Sequence, residues 1–208
     1  MPAAIVLAKR PRPGLVKTRL CPPCTPEEAA AIATVSLGMT IEAVSHCPGV
    51  RRVIASDEDL RVPGFVTIAQ RGDGLAERLA AAFEDVGGPA VLVGMDTPQI
   101  DARLLQGALA SLARNDCVIG PTEDGGYWCI GLHDDDVGHL FLDVPMSRAD
   151  TCEAQVDRLR ECGLTPSFLP VLRDVDVFED ARAVARLVPG SPFAKTIDAL
   201  ERAWTSVT

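Results

Sequence analysis

The chain has 208 residues, of which 47% are hydrophobic and 24% charged, a balance that excludes wholesale disorder and is enough for a full core without disulfide or metal staples. Lys and Arg number 20 against 29 Asp and Glu, a formal charge of −9. So acidic a surface argues against non-specific nucleic-acid binding, which draws on clustered cations, yet it leaves room for a local basic pocket that holds phosphates.

No segment approaches the ~18 consecutive apolar residues of a membrane span. Only six apolar residues, Ala3 to Ala8, precede Lys9, and no basic stretch precedes them, so no signal peptide is expected and a cytoplasmic location is. The seven cysteines are odd in number and irregular in spacing, as in a reducing compartment. Cys21-Pro-Pro-Cys24 is formally a CxxC. A zinc site would need a second ligand pair, and a redox motif would need a strand before it; neither is present, so coincidental loop cysteines are the preferred reading.

In chain order, Ala3–Ala8 reads as a buried strand. Glu27–Ser45 reads as an amphipathic helix, capped by Thr25 with Pro26 at its first position and stopped by His46-Cys47-Pro48-Gly49. Strands follow over 50–55 and 65–69, then a helix over 74–86 opened by Asp73, and a continuous apolar strand over 90–94. A helix over 101–114 and strands over 117–120 and 127–132 come next. A helix over 148–162, a short strand over 167–169 and closing helices over 177–187 and 192–204 complete the chain. Strands alternating with helices of this length predict βαβ units and a mostly parallel sheet. Near-continuous apolar strands predict cover on both faces, a three-layer α/β/α sandwich. With no repeat, low-complexity tract or linker, residues 1–208 are expected to form one domain.

In open α/β sheets ligands sit beyond the carboxyl ends of the strands, which directs attention to the loops at 9–20, 70–74, 95–98 and 121–126. The first holds five cations, Lys9, Arg10, Arg12, Lys17 and Arg19, around Gly14. It can bind a di- or triphosphate, although it matches neither the Walker nor the dinucleotide pattern; a solvated basic loop is the alternative. Asp96, ending the fourth strand, is costly there unless it meets a cation or strong donors, so it is either a Mg²⁺ ligand or a turn former. In Glu123-Asp124-Gly125-Gly126-Tyr127-Trp128 the glycines permit close approach to a ligand and the aromatics can line a sugar or base, but Asp-Gly between apolar runs is equally a hairpin signal. Asp174 and Asp176, two apart, share one side of an extended segment as two metal-facing groups, a ligand and a cap, or an acidic helix start. Gly72 leaves room for a flat base, while Asp73 reads as a helix cap. The three histidines share no ligand spacing, and no Ser-His-Asp order or cysteine–histidine pairing emerges.

Together LAKRPRPGLVKTRL, RGDGLAERL, VGMDTP, GPTEDGGYWCIGL and DVDVFED resemble, in order and spacing, the DUF2064 group of small bacterial proteins, also described as arsenosugar-biosynthesis-type glycosyltransferases, with the GT-A nucleotide-diphospho-sugar transferase fold. That group is akin to the molybdenum-cofactor and phospholactate guanylyltransferases. The resemblance runs from residue 3 to about 188. It implies a nucleotide across the first loop, touching Ala8, Lys9, Lys17, Arg19, Gly72 and Asp96. It further implies Mg²⁺ or Mn²⁺ on Asp96 and Asp176, and an acceptor or sugar side at Asp124, Gly125, Gly126 and Tyr127. Met95 and Met146 depart from the usual pattern, which has a small residue and a tryptophan there.

The first functional expectation is a metal-dependent glycosyltransferase using a nucleotide-diphospho-sugar, with Lys17 sharing the charge of the leaving diphosphate and Asp124 as base for the acceptor hydroxyl. The second is a nucleotidyltransferase that joins a nucleoside triphosphate to a phosphorylated small molecule and releases pyrophosphate. The third is a non-catalytic nucleotide-binding protein. The expected partners are the nucleotide or nucleotide-sugar and a small-molecule acceptor, with a homodimer left open.

Overall fold

The computed structural model describes residues 1–134 and 136–206. Its strands are β1 (Ala3–Ala8), β2 (Arg51–Ser56), β3 (Val66–Ala69), β4 (Ala90–Gly94), β5 (Cys117–Pro121), β6 (Tyr127–Leu132) and β7 (Pro166–Phe168). Its helices are α1 (Pro26–Ser45), α2 (Leu75–Val86), α3 (Ala102–Leu112), α4 (Thr151–Glu161), α5 (Phe178–Leu187) and α6 (Pro192–Thr205). The strands form one sheet in the order β3-β2-β1-β4-β6-β5-β7. β6 runs antiparallel to β4 and β5, and the other neighbours pair in parallel. The β5–β6 hairpin turns through Asp124-Gly125, so the start of β6 lies at the same edge as the carboxyl ends of β1 and β4.

Period-two alternation sends β1 side chains to both faces. Ala4 and Val6 join Val91, Val93 and Val118 under α1 and α3, and Ala3 and Ile5 join Val53, Leu92 and Ile130 under α2 and α4. Helices therefore cover both faces, which is why the strands are almost wholly apolar. A third cluster, with Leu20, Phe178, Phe193 and Ile197, buries the outer side of α1 against α5 and α6. Sandwiched this way, α1 is apolar on two sides. By length and composition it could cross a membrane, yet half of that stretch is buried inside the molecule. Its start is fixed by a capping box: Thr25 Oγ1 accepts from Glu28 N at 3.2 Å, and Glu28 Oε2 accepts from Thr25 N at 2.7 Å.

Two helix starts differ from expectation. α4 begins at Thr151 rather than Arg148, because Ser147 takes φ 60° and Thr151 Oγ1 folds residues 145–151 into a turn, accepting from Arg148 N and donating to Pro145 O. At α2 the cap is not Asp73. Glu77 reaches back and Oε2 accepts from Asp73 N at 2.6 Å and from Gly74 N at 3.4 Å. The acid three residues into the helix does the work that the sequence assigns to the acid before it.

Gly120 in β5 faces the Trp128 indole, and a Cβ there would stand 2.5 Å from Trp128 Nε1. Trp128 is 2% exposed and donates to Pro170 O at 3.0 Å, so it has no room to retreat. Gly120→Ala is expected to destabilise the fold by about 1–3 kcal/mol and to change the Trp128 emission, measured by urea unfolding followed by fluorescence.

Candidate functional site

All four carboxyl-end loops contribute to one cavity of about 620 Å³. Ala8, Lys9, Leu15, Lys17 and Arg19 line it from the first loop, Gln70 and Asp73 from the loop after β3, and Met95, Asp96 and Thr97 from the loop after β4. Asp124, Gly126 and Tyr127 close the β6 side, and Asp174 and Asp176 enter from the segment before α5.

The backbone is held in place by long-range bonds. Gln70 Nε2 donates to Ala8 O at 2.8 Å and to Ala55 O at 3.0 Å, tying together the ends of β1 and β2. Ser36 in α1 donates to Met95 O at 2.6 Å. Val175 N donates to Asp96 O at 2.9 Å while the Val175 side chain, 1% exposed, plugs the cluster beneath α5. That single register sets Asp174 and Asp176 beside Asp96. Asp176 does not cap α5: Asp180 Oδ2 accepts from Asp176 N and Val177 N. Nor does Asp96 open α3, because Asp101 accepts from Leu104 N at 2.8 Å. Both aspartates are thereby free of cap duty and present carboxylates to the cavity.

Two cations meet those carboxylates. Lys17 Nζ lies 3.0 Å from Asp96 Oδ1, and Arg19 pairs with Asp176. The Lys17 side chain is 11% exposed, so Asp96 supplies the counter-charge that solvent does not. Among the described residues three non-glycines take positive φ, namely Lys17, Asp143 and Ser147, and two of them line this cavity. Such backbone strain gathers at ligand-binding sites.

The five cations of the first loop therefore divide. Lys9, Lys17 and Arg19 face the cavity. Arg10 and Arg12 turn to the β2–β3 loop instead, where Arg10 N donates to Asp57 Oδ1 at 3.0 Å and Arg12 reaches Glu58 at 2.5 Å. The two acids of the hairpin divide as well. Glu123 pairs with Arg173, whereas Asp124 turns to the cavity, its Oδ1 accepting from Thr122 Oγ1 at 2.6 Å and Gly126 N at 2.9 Å. Asp124 is at once the hairpin's turn former and a cavity carboxylate.

Gly72 takes φ 112°, and a Cβ on it would fall 2.4 Å from Glu77 Cβ. The space beside Gly72 is thus filled by the α2 cap. Gly125, at φ 89°, abuts Ala149 O, which a Cβ would approach to 1.8 Å; this glycine packs the hairpin on the loop before α4. Tyr127 lines the cavity and donates to Gln155 Oε1 at 3.3 Å, its burial pushing the phenol pKa up, and Trp128 borders the same cavity while its ring is packed in the core. Cys24 sits in the cluster beneath α1, where burial first, then Glu28 and Cys21, push its thiol up to about 11, opposite to the shift a reactive thiolate needs.

The sequence singles out neither Gln70 nor Arg78, both of which line the cavity, and it reads Asp174 only as one of a metal-facing or capping pair with Asp176. Asp174 is the most perturbed carboxyl here, pushed from 3.8 to about 6 by burial, then by Asp124, with Asp176 adding and Lys17 opposing. A raised carboxyl pKa means that the folded chain holds the proton more tightly than the unfolded chain, so stability falls as pH rises from about 4 to about 6. Asp174→Asn is accordingly expected to stabilise the fold at pH 7 by on the order of 1 kcal/mol after discounting for solvent, and to flatten the pH dependence across that window, measured by thermal melts between pH 4 and 8.

The sequence model of the DUF2064 family, described as "Uncharacterized protein conserved in bacteria", matches residues 40–148. Among solved structures, a protein from Desulfovibrio desulfuricans G20, named as a candidate nucleotide-diphospho-sugar transferase, is 29% identical, covering 97% of this chain and 94% of its own with a TM-score of 0.85. The CMP:2-keto-3-deoxy-manno-octonic acid synthetase complexed with CTP shares the fold at 15% identity and TM-score 0.55, covering 90% of this chain and 99% of its own. So does 4-diphosphocytidyl-2C-methyl-D-erythritol synthase from Anaerococcus prevotii DSM 20548, at 8% identity and TM-score 0.57, covering 96% of each chain. No curated protein matches. The mostly parallel α/β architecture is that of these transferases, and the chain belongs to the DUF2064 family.

Proposed function

We propose that the cavity binds a nucleotide by its diphosphate, and that the chain is a transferase acting on a nucleotide-activated substrate, with glycosyl transfer from a nucleotide-diphospho-sugar as the reaction. One observation carries this reading: two cations of the first loop and two carboxylates from the middle and late chain face each other across one cavity at the carboxyl edge of the sheet. A diphosphate with a divalent cation has the complementary charge pattern, negative oxygens for Lys17 and Arg19 and a positive centre for Asp96 and Asp176. The similarity to the 29% identical relative supports the choice of substrate class.

The donor set fits a hard cation such as Mg²⁺ or Mn²⁺. Among the described residues no three His, Cys, Asp or Glu stand together as a cage. Such ions often take only one or two carboxylates from protein and the rest from water and phosphate oxygens, and Asp96 and Asp176 supply two. Bound there, the ion would neutralise charge developing on the departing diphosphate. Lys17 and Arg19 donate to the same oxygens, a stabilisation that grows as the leaving group gains charge. Asp124, held by Thr122 Oγ1 and Gly126 N, accepts the proton of the acceptor hydroxyl. Gly126 and Tyr127 form the adjoining wall for the sugar or acceptor.

A tight nucleotide-sugar should stabilise the fold by about 3 kcal/mol at a hundredfold excess over its Kd, which a thermal-shift screen with Mg²⁺ or Mn²⁺ detects. Nucleoside diphosphate released from a nucleotide-sugar would assign glycosyl transfer; pyrophosphate released from a triphosphate would assign nucleotidyl transfer instead. Asp96→Asn keeps an oxygen for Lys17 and should fold, yet lose metal-dependent nucleotide binding by about tenfold or more in calorimetry. Lys17→Ala should weaken nucleoside diphosphates by about 10–100-fold while sparing free nucleosides, since one charge-assisted bond contributes about 1.5–3 kcal/mol. Equal weakening of both would refute the phosphate contact.

A further inference from the structure

We propose that Lys17 is the built-in occupant of the cation position at Asp96, so that the cavity takes a divalent cation as its complex with a diphosphate and rejects the free ion. The inference rests on the assignment of Asp96 to the metal. Lys17 Nζ lies 3.0 Å from Asp96 Oδ1, and the lysine side chain is 11% exposed. Its backbone is set at φ 49° by the 3-10 turn Thr18–Leu20, and Leu20, fully buried, anchors that turn in the cluster beneath α1. The ammonium therefore cannot simply drift into solvent when a competitor arrives.

Charge balance then decides which ligand enters. A free dication at Asp96 would stand beside a nearly buried ammonium and deprive it of its counter-ion, two penalties against one carboxylate. A diphosphate arriving with the ion gives Lys17 new oxygens to donate to and so releases Asp96. Metal and diphosphate must consequently bind with positive coupling, each raising the affinity of the other. Arg19 and Asp176 repeat the exchange at the rim, but Arg19 is 71% exposed, so solvent screens that pair and it contributes less. Lys17 is in this sense a specificity-determining residue whose role is separable from holding phosphate, because it acts on metal binding in the absence of phosphate.

The test uses the full chain and Mn²⁺, followed by water-proton relaxation, which reports protein-bound ion, with and without inorganic pyrophosphate. Wild type is expected to bind Mn²⁺ weakly alone and at least about tenfold more tightly with pyrophosphate, equivalent to about 1.4 kcal/mol of coupling. Lys17→Met, which keeps the stem and removes the charge, is expected to bind Mn²⁺ alone about tenfold more tightly than wild type; Lys17→Gln should do the same. Adding Asp96→Asn to either should abolish the gain. Far-UV circular dichroism confirms that each variant is folded, and the coupling measured on wild type stands without any variant. Equal Mn²⁺ affinity in wild type and Lys17→Met, lost on Asp96→Asn, would overturn the placeholder and leave Asp96 as the metal site. No Mn²⁺ binding to wild type even with pyrophosphate, unchanged by Asp96→Asn, would overturn both.

Discussion

The site depends on one neutralisation, the ammonium of Lys17 against the carboxylate of Asp96. The Lys17 side chain is only 11% exposed and takes its counter-charge from Asp96, which at 43% exposure still reaches solvent. The contact joins residues far apart in the chain, and it binds the first loop to the sheet's central pair, β1 and β4. Immediately past Lys17 the chain turns down so that Leu20 enters the cluster shared by α1, α5 and α6. On the other side, Val175 is buried in the same cluster while its N–H holds Asp96 O. The two halves of the charge pattern are thus mounted on one apolar body. Loosening α5 and α6 would move the carboxylates and the cations together.

Much of this was legible in the sequence because it follows from strong local signals. Continuous apolar runs fixed the strands of a doubly covered sheet, and the carboxyl-end rule selected four loops that do converge. What stayed hidden was the partner of each polar side chain. Five loop cations look equivalent in sequence, but Asp57 and Glu58, brought alongside by β2, take Arg10 and Arg12 away from the cavity. Glu123 and Asp124 are neighbours in the chain, yet the hairpin twist sends them to opposite sides, one to Arg173 and one inward. Gly72 reads as space for a ligand, and only the fold-back of Glu77 shows that the space is already filled. Tyr127 and Trp128 both border the cavity, but strand alternation packs the Trp128 ring, 2% exposed, into the core beneath α1 and α3 and leaves Tyr127 as the more accessible wall.

The cavity also carries its own energetic cost. Burial, together with Asp124 and Asp176 nearby, holds the Asp174 carboxyl well above its ordinary range, an arrangement that a chain selected for stability alone would remove by one amide substitution. Retained charge crowding of this kind is a mark of ligand sites. The chain balances what it can internally. Lys17 and Arg19 serve Asp96 and Asp176, and Asp124 takes two hydrogen-bond donors of its own hairpin.

Glycosyl and nucleotidyl transfer need the same diphosphate grip, which explains why one fold serves both and why the basic loop and Asp96 do not separate them. The two reactions differ in which atom is attacked. Attack at the sugar carbon places the acceptor beyond the β-phosphate, whereas attack at the α-phosphorus places it between base and leaving group. The wall built by Asp124, Gly126 and Tyr127 belongs to β6 and its hairpin, two strands away from β1 in the sheet, while Gln70 and Arg78 mark the opposite side of the cavity near β2 and β3. On the proposed reading, with Lys17 holding the phosphates between these walls, Asp124 on the β6 side stands at the far end from the groups near β3. In the proposed reading the nucleotide's base lies on the β3 side, which puts the sugar carbon nearest Asp124, and the place of that one carboxylate is why glycosyl transfer is proposed.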